Sequence, residues 1–445
     1  MKKIFSIAIL FASATWLTSC SPSEEDDIFN GSAAERLMDS KKTYTERLGG
    51  TTWAMEFYPL NSDEAPEGVG YLILNRFFKD GSVDQAMKNA ISGNAFVRDT
   101  SLWELVTDMG PVLSFNTYNQ CIHSFSNPGI YTTGQGYQGD YEFRVISLDE
   151  NADYAMLKGK KRGTYIRLTR LPDDTDFESY LNDVQQFQNT VFAASAPNNC
   201  LLRAGDTTMV VTNASSGIIS MYPYGGDPIS QTTDHAYMIT QHDGKYYFRF
   251  REKLTFGEAS VQEMAFDAEQ DKFLSVDGAS NSIEGLNPNL FYAEAMEGGH
   301  KWQLPRTAEM SESVKALYEE MYNSFRRFNS NYTLQNIQFN IILDDKSADK
   351  GKLRMDISYR VRTSTAHLQF YYDLTYGAEG VTISNRQPQG NAQTVMGSIS
   401  GIEPFLNVIE GSFVVSPAAS SFNLTTIKLT SASDANNSFV ISFIN

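Results

Sequence analysis

Residues 354–360, RMDISYR, carry the pattern that governs most of this chain. Leu353, Met355, Ile357 and Tyr359 alternate with Arg354, Asp356, Ser358 and Arg360. A period of two with one polar face predicts a half-buried antiparallel strand. Ile337, Phe339, Ile341 and Leu343 repeat the pattern, as do Leu368, Phe370, Tyr372 and Leu374. Earlier, Tyr246, Phe248 and Phe250 alternate with Tyr247, Arg249 and Arg251. Asp80-Gly81 and Asp243-Gly244 sit beside such runs, and Asp-Gly suits the tight turns that join antiparallel strands.

Two segments change period. Phe177, Tyr180, Leu181, Val184 and Phe187 form one helical stripe behind Asp173, Asp174 and Asp176, which suit a helix N-terminus. Val314, Leu317, Tyr318, Met321, Phe325 and Phe328 form another, with Glu309 and Glu312 early and Arg326-Arg327 late. The spacing predicts helices near 175–190 and 309–328.

The expected fold is therefore mainly β with two helices. An N-terminal lipocalin-like antiparallel meander or barrel over 46–171 is followed by a helical connector over 172–197. A C-terminal β-rich domain fills 198–445, with the second helix near 309–328 and a division into two subdomains near 305. The Gly50-x-x-Trp53 opening gives the first unit its lipocalin-like outline. Such small barrels put a cup at one end, an analogy of fold that says little about the ligand.

The N-terminus reads differently. Lys2 and Lys3 precede a short apolar run, Ile4 to Ala12, too short to span a bilayer. Leu17-Thr18-Ser19-Cys20 resembles a bacterial lipobox. In such signals the cysteine is diacylated on sulfur, cleavage falls before it, and the new amine is acylated. The expectation is a signal peptide over 1–19 and a lipid anchor on Cys20, since two or more acyl chains hold a protein stably on a membrane. An acidic linker follows over 20–45. Its run Glu24-Glu25-Asp26-Asp27 suits a solvated linker and also resembles the lipoprotein export signal of Bacteroidota, which implies the outer face of the outer membrane, with a periplasm-facing anchor as the alternative.

The net charge is −17 and falls to −19 once residues 1–19, with Lys2 and Lys3 and no acid, are removed. A chain this acidic offers no basic footprint for nucleic acid. Beyond Cys20 the cysteines are Cys121 and Cys200, read as buried thiols, with a disulfide left open.

Catalytic motifs are missing. His123, His235, His242, His300 and His367 include no HExxH, and no metal site or cofactor is expected. Gly-x-Ser-x-Gly, a P-loop and a dinucleotide fingerprint are absent. Cys121 and His123 would share a face in a strand, but a core thiol beside a partly buried histidine is the better account. Asp173, Asp174 and Asp176 read as a helix cap and Asp344-Asp345 as a turn. Exposed aromatics in turn-rich loops are the remaining signal: Tyr131, Tyr137, Tyr222 and Tyr224 are candidate ligand contacts. Asp206-Thr207-Thr208 resembles the Bacteroidota O-glycosylation motif at Thr207.

Five stretches together carry a family resemblance: GTTWAMEFYP (50–59), GYLILNRFFKDGSV (70–83), SLWELVTDMGPVLSFNTYNQCIHSFSNP (101–128), GDYEFRVI (139–146) and LKGKKRGTYIRLTRL (157–171). They resemble the Bacteroidota lipoproteins known as domain of unknown function 4302. The resemblance implies an accessory lipoprotein acting beside a TonB-dependent transporter and its partner lipoprotein, and carries no catalytic residue. The expected function is non-enzymatic binding of a glycan, peptide or haem at the cell surface. A hydrolase with an unrecognised site and a structural or adhesive surface protein are the alternatives.

Overall fold

The computed structural model describes residues 32–59, 68–130, 134, 136–192, 200–215 and 217–444. Its strands close into three antiparallel barrels of eight, each an up-and-down meander in chain order. The first barrel holds β1 (Thr51–Tyr58), β2 (Tyr71–Phe77), β3 (Ser82–Met87), β4 (Val97–Thr107), β5 (Pro111–Phe115), β6 (Glu142–Leu148), β7 (Tyr154–Gly159) and β8 (Tyr165–Leu171).

The second runs from β9 (Cys200–Ala204) through β10 (Thr207–Ser215), β11 (Ile218–Pro223), β12 (Thr233–His242), β13 (Lys245–Phe256), β14 (Ala259–Asp267) and β15 (Lys272–Ser275) to β16 (Ser282–Glu284), which pairs back onto β9. The third runs from β17 (Lys301–Leu304) through β18 (Tyr332–Ile341), β19 (Leu353–Val361), β20 (Ser364–Gly377), β21 (Gly380–Gln389), β22 (Gly411–Pro417) and β23 (Thr426–Ser431) to β24 (Ser438–Ile444), which pairs with β17. By internal contacts the chain divides into two compact units. The first takes the described residues up to Met55, Leu74–Ala86 and Val97–Asp174; the second takes Glu56–Ile73, Met87–Phe96 and the chain from Thr175 onward.

Local chemistry explains the hairpins. Between β12 and β13, His242 pairs with Lys245, leaving Asp243-Gly244 as a two-residue turn. Both turn residues have positive φ, 48° and 71°, as a type I′ turn requires. The Asp80 carboxylate accepts the Ser82 backbone N–H at 2.9 Å and bends β2 into β3.

The apolar rows fall inside as their period predicts. Leu353, Met355, Ile357 and Tyr359 are buried with Ile337, Phe339, Leu368 and Phe370 in the third barrel's core. Leu343 departs from its row: β18 ends at Ile341, and Leu343 is exposed.

Eight α-helices are formed among the described residues, not two. They are α1 (Ala33–Leu48), α2 (Gln120–His123), α3 (Phe177–Val191), α4 (Pro228–Gln231), α5 (Pro288–Glu297), α6 (Glu312–Phe328), α7 (Asn391–Val395) and α8 (Ile402–Ile409). The two expected stripes are α3 and α6. Asp176 caps α3, accepting the Ser179 N–H at 2.8 Å. Phe187 of α3 stacks on Tyr246 with centroids 3.8 Å apart, and Tyr180 exchanges two hydrogen bonds with the Gln241 backbone. Along α6, Val314, Tyr318, Met321 and Phe325 join the third core, while Phe328 stays exposed.

Helix α1 occupies part of the stretch read as a linker over 20–45. A capping box starts it: Ser32 accepts the Glu35 N–H, and the Glu35 carboxylate accepts the Ser32 N–H at 2.8 Å. Its polar sequence buries only Leu48, so no apolar stripe announces it. None of the helices among the described residues is long and apolar enough to cross a membrane.

Candidate functional site

Cys20, Glu24, Glu25, Asp26, Asp27 and Tyr131 lie outside the described residues. The other aromatic candidates are dispersed. Tyr137 is half-buried, edge-on to buried Phe125 at 5.9 Å. Tyr222 is half-buried on β11 opposite Val210. Tyr224 follows β11 and is 69% exposed. Thr207 opens β10 opposite Ala204 and is half-buried.

The histidines have local partners. His235 bonds the Thr233 hydroxyl at 2.9 Å, and His242 stacks on Tyr247 at 3.7 Å. His300 packs against Phe443, and His367 bonds the Ser358 hydroxyl at 3.1 Å. No group of three His, Cys, Asp or Glu side chains among the described residues could hold a metal ion. Cys121 and Cys200 are free thiols. Asp344 accepts the Lys346 N–H at 2.9 Å in a turn.

Cys121 and His123 sit in α2, not a strand, so two residues apart they do not share a face. Cys121 is buried, and that burial pushes its thiol up to about 12, out of reach of a working nucleophile. His123 is half-buried and belongs to a groove of about 730 Å³ in the first unit.

The groove floor follows from strand register. Glu104 pairs with Ser114 across β4–β5, and Ser114 with Glu142 across β5–β6. Directly opposed residues share a face, so Glu104 and Glu142 flank one serine with backbones about two strand spacings, roughly 10 Å, apart. Asn116 donates to Glu104 at 2.6 Å, and Lys160 approaches Glu142 at 3.4 Å.

One wall is formed by Asn116, Tyr118, His123, Ser126, Asn127 and Tyr141. Buried Asn119 anchors it. Its side chain caps α2 by accepting the Cys121 N–H at 2.9 Å and donates to the Asp99 carbonyl and the Ser101 hydroxyl. Its backbone N–H donates to His123 Nδ1 at 3.1 Å, which fixes the ring. Burial lowers the His123 pKa, so the ring is neutral near pH 7.

That ring packs against two tyrosines. Tyr118 lies 5.4 Å away with planes at 34°, and Tyr141 lies 4.9 Å away at 25°. The two tyrosines are 66% and 44% exposed. A continuous half-exposed aromatic ridge thus borders a floor of carboxylate, amide and hydroxyl groups. The sequence presents His123 as one of five scattered histidines and as a neighbour of Cys121, not as a ring packed against tyrosines. Tyr118 and Tyr141 carry no signal of their own in the sequence, because their exposure depends on how the chain around them folds.

A family model described as Domain of unknown function (DUF4302) matches residues 25–268, more than half of the chain. No curated protein matches it. Among solved structures, the DNA polymerase III subunit beta from Pseudomonas aeruginosa is similar at 10% identity, with 89% of this chain and 92% of that one covered and a TM-score of 0.14. The transferrin binding protein B of Haemophilus parasuis aligns at 6% identity over 88% and 76%, with a TM-score of 0.15. At such scores neither likeness carries an argument.

Proposed function

We propose that this chain, which belongs to the DUF4302 family, is a lipid-anchored protein of the outer-membrane surface that binds a glycan without cleaving it. It would serve as an accessory to a TonB-dependent transporter and its partner lipoprotein. The anchor and address rest on the lipobox-like Leu17 to Cys20 and on Glu24 to Asp27, and the transporter setting on the family resemblance.

The ligand class rests on one observation: the Tyr118–His123–Tyr141 ridge borders a floor of hydrogen-bonding groups. Flat rings present apolar faces to the C–H faces of a sugar, and tyrosine does so with little side-chain entropy to lose. Glu104, Asn116, Ser114 and Glu142 supply acceptors and donors for hydroxyls. Haem fits less well, because the floor is polar and the His123 Nδ1, in accepting the Asn119 N–H, leaves the proton of the neutral ring on Nε2, with no lone pair there for iron.

Two carboxylates across a groove also suit glycoside hydrolysis, but that chemistry needs a desolvated general acid. Glu104 is exposed and Glu142 half-exposed beside Lys160. The lipid-free chain, residues 21–445, should retain members of an oligosaccharide array and release them at unchanged length. Retention of none, or recovery of shortened chains, would sink the reading.

A further inference from the structure

The second unit holds a cleft of about 680 Å³ that shares no residue with the aromatic groove. Its floor is a face of the second barrel. Register sets Leu201, Glu284 and Lys272 side by side on β9, β16 and β15. Arg203, two residues along β9, shares that face and ion-pairs with Glu284. Leu286, just before α5, and Leu290 and Glu294 on it line one side, and exposed Tyr224 stands at the rim.

The rest of the lining is held in place by its own contacts. The Asp271 carboxylate accepts the Ser420 hydroxyl at 2.9 Å and the Ser421 N–H at 2.6 Å. Gly285 packs so closely that a Cβ there would lie 2.2 Å from the Ser421 carbonyl carbon. A pre-formed cleft spares a ligand the cost of ordering it.

Its charges are unevenly satisfied. Arg203 and Glu284 neutralise each other and the Asp271 carboxylate is taken up by Ser420 and Ser421, whereas Lys272 and Glu294 enter no ion pair among the described residues. One available ammonium, one available carboxylate and leucines between them are the complement of a polypeptide. A neutral sugar would cover both charges without pairing either, at a desolvation penalty. A peptide presents both signs on one chain with apolar side chains at alternate positions.

We propose that this cleft binds a short extended peptide. A ligand carboxylate pairs with Lys272, a ligand cation pairs with Glu294, and an apolar side chain rests on Leu286 and Leu290 under the Tyr224 ring.

The test titrates the lipid-free chain by calorimetry with acetyl-Glu-Ala-Leu-Ala-Lys-amide and with its neutral analogue, Gln replacing both charged residues. The charged peptide should bind at least tenfold more tightly than the analogue, and binding should weaken as salt rises. Lys272→Gln with Glu294→Gln, both at the surface of the cleft, should lower affinity at least tenfold, and Tyr224→Ala should lower it too. No binding at millimolar peptide, equal binding of the neutral analogue, or an unaltered affinity in the double variant would overturn the proposal. So would a neutral oligosaccharide that occupies the cleft and is not displaced by the peptide.

Discussion

Asp140 and Thr164 clasp each other inside the first unit: the Asp140 N–H donates to the Thr164 hydroxyl oxygen, and that hydroxyl donates to the Asp140 carboxylate, both at 3.0 Å. The carboxylate also accepts the backbone N–H groups of Lys161 at 3.2 Å and Arg162 at 2.9 Å. Both residues are buried. Tyr141 is the next residue, so this clasp fixes where the ridge ends.

Asp140→Ala should therefore destabilise the first unit by about 3 kcal/mol, because several charge-assisted bonds vanish together and buried donors are left unpaired. Gly159→Ala should act through the same clasp, since a Cβ there would lie 1.9 Å from the Asp140 carboxylate. Overpacking of that kind costs about 1–3 kcal/mol. Denaturant melts of both variants check this, and an unchanged midpoint in both would refute the clasp.

In the second unit, Glu56 and Arg249 form a buried ion pair at 3.0 Å, with side chains 1% and 5% exposed. Arg249→Met leaves a carboxylate buried without its cation and should cost about 3–5 kcal/mol. Adding Glu56→Leu should recover most of that loss, because replacing both charges removes the desolvation penalty as well. A double-mutant cycle in urea measures it; a double variant as weak as the single one would count against the account.

The His123 environment sets a pH dependence. Its folded pKa lies below the ordinary 6.5, chiefly through burial. The unfolded chain then takes up the proton more readily, so the contribution is fully present above about pH 6.5 and is lost as pH falls toward the lowered folded value. Wild type should lose more stability than His123→Gln between pH 7.5 and pH 5. Parallel curves for the two would remove His123 as the cause.

The lipobox-like cysteine makes a cellular prediction. Cys20→Ala should abolish palmitate incorporation and shift the protein from the membrane fraction to the soluble one. Surface exposure is read separately by protease shaving of intact cells, where the anchored protein should be degraded.

The sequence made some of this architecture legible and hid the rest for identifiable reasons. β19 shows its apolar row because Leu353, Met355 and Ile357 alternate with Arg354, Asp356 and Ser358, even though Asp356 and Ser358 turn out to be buried as well. β1 shows no clean alternation, because all eight residues of TTWAMEFY are buried. Helices α3 and α6 are long enough to display a stripe; α2, α4 and α7 are a single turn or little more. α5 is buried on most sides, so NLFYAEAM has no polar face to mark it.

The site follows the same logic. Tyr224 was visible because Tyr-Gly-Gly signals an exposed turn. Tyr118 and Tyr141 lie 23 positions apart and meet around His123 only once Asn119 caps α2 and Asp140 closes on Thr164.

The most direct measurement is a calorimetric titration of an array-selected oligosaccharide into wild type, Tyr118→Ala, Tyr141→Ala and Tyr224→Ala, with the sugar's length analysed afterwards. Loss of either ridge tyrosine should weaken binding at least tenfold, about 1.4 kcal/mol, while Tyr224→Ala binds as wild type and the sugar stays intact. Undiminished affinity in both ridge variants, or a shortened sugar, would contradict a non-cleaving glycan site built on Tyr118, His123 and Tyr141.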